Sequence, residues 1–134
     1  MILAVIDTNV LVSALWTANP LAATRRVLDL LVGKQITPLY NDEVIAEYRD
    51  VLNRPKFPFD RQEVAELIDF IIEIGVDTAR TQFDEGMPVE DDRVFYEISL
   101  TEEDSFLVTG KIKHYPHVSK VVSPAEFIRI FENR

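Results

Sequence analysis

Ile2-Leu3-Ala4-Val5-Ile6 runs straight into Asp7-Thr8-Asn9. An unbroken apolar run that stops at an acid and two small polar residues is the pattern of a strand buried on both faces. Such a strand delivers polar side chains to the carboxyl edge of a parallel sheet, where open α/β folds place their chemistry. Asp7 is therefore a site candidate. On this stretch alone a second reading stands beside it, in which Asp7 or Thr8 caps the helix opening at Asn9-Val10-Leu11.

The pattern continues outward as alternating strands and helices. A helix runs through Leu15, and a second is expected from about Pro20 to Val32, with Gly33 as its stop. Ile36-Thr37-Pro38-Leu39 reads as a short strand. Asn41 then caps a helix whose apolar positions are Val44, Ile45, Tyr48, Val51 and Leu52, ending before Pro55. A fourth helix carries the stripe Val64, Leu67, Ile68, Ile71 and Ile72 and ends at Gly75. Another starts near Asp91 or Asp92. Phe106-Leu107-Val108-Thr109 and Val121-Val122 read as strands, and Ser123-Pro124-Ala125-Glu126 is a capping box opening the last helix. This alternation predicts an α/β fold with a mostly parallel central sheet covered on both faces.

With 134 residues the chain is expected to form one domain, residues 1–134. It has no cysteine and two histidines, which excludes thiolate metal sites and leaves little room for an imidazole site, so any metal must sit on oxygen. No basic segment leads into a long apolar one, and no apolar run approaches the roughly 20 residues of a membrane helix. A soluble cytoplasmic protein is expected.

The net charge of −9 is concentrated. Of 23 acids and 14 lysines and arginines, nine acids and Arg93 alone fall in residues 84–104, so the rest of the chain is nearly neutral. Ser105 to Ala125 holds no acid but contains Lys111, Lys113 and Lys120, with His114 and His117 between them. A solvated face is the ordinary meaning of a charge run such as Glu102-Glu103-Asp104. An acidic stretch abutting a basic one also fits a metal site beside a phosphate-holding loop.

Three acids stand out by context. Asp7 ends the first strand, Glu47 flanks the apolar stripe of the helix after Asn41, and Asp92 opens the helix after the acidic loop. Carboxylates held close repel, so a cluster of them requires a cation, and Mg²⁺ or Mn²⁺ suits oxygen ligands that also face phosphate. Taken singly, Glu47 reads as a solvated helix residue and Asp92 as helix-start electrostatics.

Four segments in order, VIDTNVLVSAL (5–15), DEVIAEYRDVLNRPKF (42–57), EDDRVFYEIS (90–99) and FLVTGKIKHYP (106–116), resemble the PIN-domain proteins. More narrowly they resemble the PIN-family toxin components of toxin-antitoxin systems. The resemblance implies a three-layer α/β/α fold and a ribonuclease whose acids bind Mg²⁺ or Mn²⁺. By matched position it implies Asp7, Glu47 and Asp92 as catalytic and metal-binding acids, Asn9 as support for the first acid, and Thr109 as the hydroxyl residue ending the fourth strand. It also implies a homodimer and a cognate antitoxin partner.

The chain departs from the family pattern at two places. Many relatives carry a further acid directly after the Thr-Gly of the fourth strand, where this chain has Lys111, and an earlier variable acid position reads as Val89. Asp91 and Asp104 are the acids expected to compensate. Lys111, Lys113 and His114 are expected on the loop past Gly110, where a lysine can hold substrate phosphate as a point charge. Two other classes are compatible with parts of the sequence. A haloacid-dehalogenase-type phosphatase also begins with a strand ending in acid-x-acid, although Asn9 stands in the second acid's place. A catalytically weak binding module would use the acidic face to hold a partner, and Lys111 favours that reading.

Overall fold

The computed structural model describes residues 2–134. Five strands, β1 (Ile2–Ile6), β2 (Ile36–Tyr40), β3 (Val76–Asp77), β4 (Phe106–Val108) and β5 (Val121–Val122), form one sheet in the order β3-β2-β1-β4-β5. Every neighbouring pair is parallel. Six helices accompany it: α1 (Thr8–Trp16), α2 (Ala23–Val32), α3 (Asp42–Leu52), α4 (Arg61–Ile74), α5 (Arg93–Thr101) and α6 (Pro124–Glu132).

All five residues of β2, and four of five in β1, are buried. Successive side chains of a strand point to opposite faces, so consecutive burial requires cover on both, which gives the three-layer α/β/α arrangement. The core is filled by residues that the apolar stripes supply, including Leu11, Leu31, Ile68, Ile71, Phe95 and Phe127, all fully buried. Among the described residues no helix is long and apolar enough to cross a membrane.

Local chemistry sets the boundaries. Asn41 accepts a hydrogen bond from the Val44 amide (2.9 Å), Asp60 from those of Gln62 and Glu63, and Ser123 from Glu126 (3.1 Å), so three helices begin on side-chain caps. Gly75 ends α4 where a Cβ would lie 2.5 Å from the Pro38 carbonyl oxygen; only glycine permits this approach to β2.

Some boundaries differ from those expected. α2 starts at Ala23, because Asn19 accepts from the Leu21 amide through its side chain (3.0 Å) and from the Ala22 amide through its carbonyl (3.1 Å), making Pro20–Ala22 a turn. Asp91 and Asp92 lie in a 3₁₀ turn (Glu90–Asp92) ahead of α5, and Thr109 follows β4 rather than ending it. Strand β3 was not legible, since it is two residues long and both are exposed.

The strand order places the site. From β1 the chain moves outward to β2 and β3, then crosses back to β4 on the other side of β1. The reversal opens a crevice at the carboxyl ends of β1 and β4, the general position of ligands in open parallel sheets.

Candidate active site

Asp7 leaves β1 at this crevice and is only 3 % exposed. Its Oδ2 accepts from the Thr109 hydroxyl (2.9 Å) and from the Tyr115 hydroxyl (2.8 Å). Burial pushes the Asp7 carboxyl above its ordinary value, an effect partly offset by those two hydroxyls and reinforced by the nearby charge of Asp92.

Glu47 arrives from α3 and is half-buried. Its Oε2 accepts from the hydroxyl of Thr8, the first residue of α1. Desolvation raises its pKa; the Thr8 bond opposes this, while the charges of Asp7 and Asp92 add to it. The next residue, Tyr48, is fully buried and donates to the Ile6 carbonyl (2.5 Å), which ties α3 to the end of β1 and fixes where Glu47 enters.

Asp92 comes from the 3₁₀ turn before α5, and its Oδ2 lies 2.9 Å from Nδ1 of His114. Thus each carboxylate uses one oxygen for its direct hydrogen bonds: Oδ2 of Asp7, Oε2 of Glu47 and Oδ2 of Asp92.

The loop after β4 is latched to α1. The Asn9 side chain accepts from the Gly110 amide (2.8 Å), and Thr109 Oγ1 accepts from the Lys111 amide (2.9 Å). A Cβ at Gly110 would stand 3.0 Å from Asn9 Oδ1, so the latch favours glycine there. The Asn9 side-chain oxygen is thereby committed to Gly110.

Asp7, Asn9, Glu47, Asp91, Asp92, Lys111 and His114 all line one cavity of about 830 Å³. Three of the expected site residues do not, and of these Thr109 is fully buried and reaches the site through its bond to Asp7. Asp104 precedes β4 and so lies at the amino edge of the parallel sheet, opposite the crevice, where its charge acts on Lys120. It cannot stand in for the acid replaced by Lys111. Lys113 is exposed and lies outside the lining. His114 lines the cavity, and its Nδ1 is committed to Asp92.

Thr8, expected at most as a helix cap, Tyr48, expected as an apolar helix position, and Tyr115 also serve the site through their hydroxyls. Thr8 and Tyr48 adjoin the selected acids, and Tyr115 adjoins His114. The signal available was a hydroxyl residue next to each chosen group, which is too common to single out.

Among the described residues no group of three or more histidine, cysteine, aspartate or glutamate side chains is arranged to hold a metal ion. The donor chemistry instead fits a hydrated hard cation. Mg²⁺ is usually held by one or two carboxylates together with waters and substrate phosphate, rather than by a full protein cage. The like charges of Asp7, Glu47 and Asp92 act on one another across the cavity, which is the electrostatic setting a cation relieves.

A doubly covered parallel sheet with acids at its switch point is an open three-layer α/β/α architecture. The family model described as PIN domain matches residues 3–113, and the chain belongs to the PIN-domain family. That membership sets aside the haloacid-dehalogenase reading. No curated protein and no solved structure is matched by the chain.

Proposed function

We propose that the chain is a metal-dependent endoribonuclease that hydrolyses RNA phosphodiester bonds at this cavity. The observation that carries the reading is the lining of one crevice by Asp7, Glu47 and Asp92, drawn from three separate elements. In this reading Asp7 and Asp92 would hold a hydrated Mg²⁺ or Mn²⁺ directly or through its waters, and Glu47 would hold the metal or its attacking water. A bound cation of this kind supplies an activated water and offsets charge on the phosphate oxygens.

The chain's own residues account for the rest. Thr109 and Tyr115 hold Asp7 ionised and fixed in orientation despite its burial, Thr8 does the same for Glu47, and His114 orients Asp92. Lys111, beside the acids on the latched loop, is placed to hold the substrate backbone as a point charge. Asp91, exposed at the rim, adds negative charge near the cation without a direct bond to the three acids.

The narrower resemblance to toxin components supports a role as the toxin of a toxin-antitoxin pair acting in the cytoplasm, with a cognate antitoxin as partner and a homodimer as the assembly. The test is cleavage of RNA by purified protein with and without Mn²⁺, run beside Asp7→Asn. Cleavage that needs Mn²⁺ and is abolished by the substitution supports the reading. Tight RNA binding without cleavage in any divalent metal overturns it in favour of a binding module.

A further inference from the structure

The catalytic proposal uses only the acidic end of the cavity. The other end has a different chemistry. One face of α1 runs along the wall from Asn9 through Val12 and Ser13 to Trp16, and one face of α3 runs from Glu47 to Val51, continued by Arg54 two residues past the end of that helix. Along α1 these are helical spacings of three, four and seven, so that wall starts beside the acids and finishes about 10 Å away, at the rise of an α-helix.

At the far end stands an aromatic group. Phe57 and Phe59 stack at 5.2 Å and 12°. Trp16 meets both in T-shaped contacts, at 5.7 Å and 6.1 Å between ring centres. Trp16 is nevertheless 57 % exposed, although a ring of this size is ordinarily well covered. The Phe57 amide donates to the Arg54 carbonyl (3.0 Å), closing a turn with Pro55 at its second position and Lys56 at its third. Lys56 sits with its ammonium 5.2 Å from the Phe57 ring centre. Arg54 and Lys56 both line the cavity, and Lys56 has no ion-pair partner among the described residues.

We infer that Trp16, braced by Phe57 and Phe59 and flanked by Arg54 and Lys56, is a stacking platform for an unpaired base of a single-stranded RNA lying next to the cleaved linkage. Single-strand sites combine cations that follow the backbone with aromatic faces on which bases stack, and this end of the cavity has both. A duplex keeps its base faces inside the helix and has none to offer Trp16. The net charge of −9 makes the protein as a whole repel a polyanion, so local attraction must come from cations such as Arg54, Lys56 and Lys111 on the cavity wall. The inference rests on the nuclease reading for its substrate class, and its test is independent of cleavage.

Trp16 is the only tryptophan, so its fluorescence reports this position alone. In Asp7→Asn protein, a short mixed-sequence single-stranded oligoribonucleotide is expected to quench that fluorescence saturably, and the same sequence as a duplex is not. Trp16→Ala should weaken single-strand binding, measured by anisotropy of labelled RNA, about tenfold, while Trp16→Phe restores most of it. Lys56→Ala should lower the slope of log affinity against log salt by about 0.7.

Single-strand binding that leaves Trp16 emission unchanged, or equal quenching by duplex, overturns the inference. So does emission that shifts on dilution without RNA together with a Trp16→Ala protein that turns monomeric, which would make this face a contact between copies. Quenching without any metal-dependent cleavage would keep the platform and remove the nuclease. Cleavage with an unchanged KM in Trp16→Ala would do the reverse.

Discussion

The hydroxyl of Tyr115 donates to Oδ2 of Asp7 at 2.8 Å, joining residues 108 positions apart. Tyr115 is itself buried, and burial together with the Asp7 charge raises its pKa, so the phenol remains a donor throughout the neutral range. Asp7 thereby gains a permanent hydrogen-bond donor in a pocket that otherwise disfavours its charge.

Tyr115→Phe removes that donor and keeps the ring. A hydrogen bond to a charged group contributes about 1.5–3 kcal/mol, and Thr109 still serves the same oxygen, so the loss should fall at the lower end. Denaturant titration at neutral pH measures it. Cleavage should fall with it, because the remaining Thr109 bond leaves Asp7 free to rotate.

Asp7→Asn should separate the electrostatics of the site from its fold. In metal-free buffer the variant is expected to melt at or above the wild-type temperature, because it removes a charge that burial and Asp92 disfavour. Wild type should be stabilised by Mn²⁺, by about 2.7 kcal/mol at 100 times the dissociation constant, and the variant should not. Earlier melting of the metal-free variant would instead mark the bonds from Thr109 and Tyr115 to Asp7 as structural.

Two groups of carboxylates give opposite pH dependences. Asp7 and Glu47 have raised folded-state values, so the stability they contribute is full below the ordinary carboxylate range and is lost as pH rises through those raised values. Burial would also raise Glu97, but the Phe83 amide and the Arg80 and Arg93 guanidiniums outweigh it and hold the value below the ordinary one. Its contribution is present above the ordinary range and lost as pH falls through the lowered value. Glu97→Gln should therefore cost about 1.5–3 kcal/mol at neutral pH and little in acid. Melting curves of metal-free protein across pH check both.

Lys111→Asp restores an acid where many relatives have one. It adds a hard oxygen ligand and a further like charge to the cavity, so the Mn²⁺ concentration for half-maximal stabilisation should fall while the metal-free melting temperature also falls. Titration of melting temperature with Mn²⁺ reads both. A rise in the metal requirement would place Lys111 away from the cation.

Leu21 is 80 % exposed and Val32 54 %, at the two ends of residues 21–32. A homodimer through that segment is expected to give twice the chain mass in light scattering, and Leu21→Asp to give a monomer. A monomer mass for wild type across micromolar concentrations would rule it out.

Much of the fold was legible because its causes are local. The apolar runs of β1 and β2, the stripes of α3 and α4, and the caps at Asn41 and Ser123 act over a few residues, and their alternation leads to a parallel sheet. The turn at Asn19 displaced the start of α2, and β3 carried no apolar signal because its two residues face solvent. Asp104 could have been set aside from sequence alone, since a residue preceding a parallel strand enters the opposite sheet edge from one that follows.

The sequence by itself determined that the sheet is parallel and covered on both faces, the edge at which Asp7 emerges, and three acids worth weighing. Tertiary structure decided the company each acid keeps: Thr8 for Glu47, His114 for Asp92, and Thr109 and Tyr115 for Asp7. It also set the aromatic end of the cavity opposite the acidic one, by bringing the end of α1 against the turn after α3. The reason is physical. A helix or strand is fixed by periodic burial and hydrogen bonding within a short segment, whereas a side-chain partner many residues away is fixed by strand order and helix packing, which no local pattern encodes.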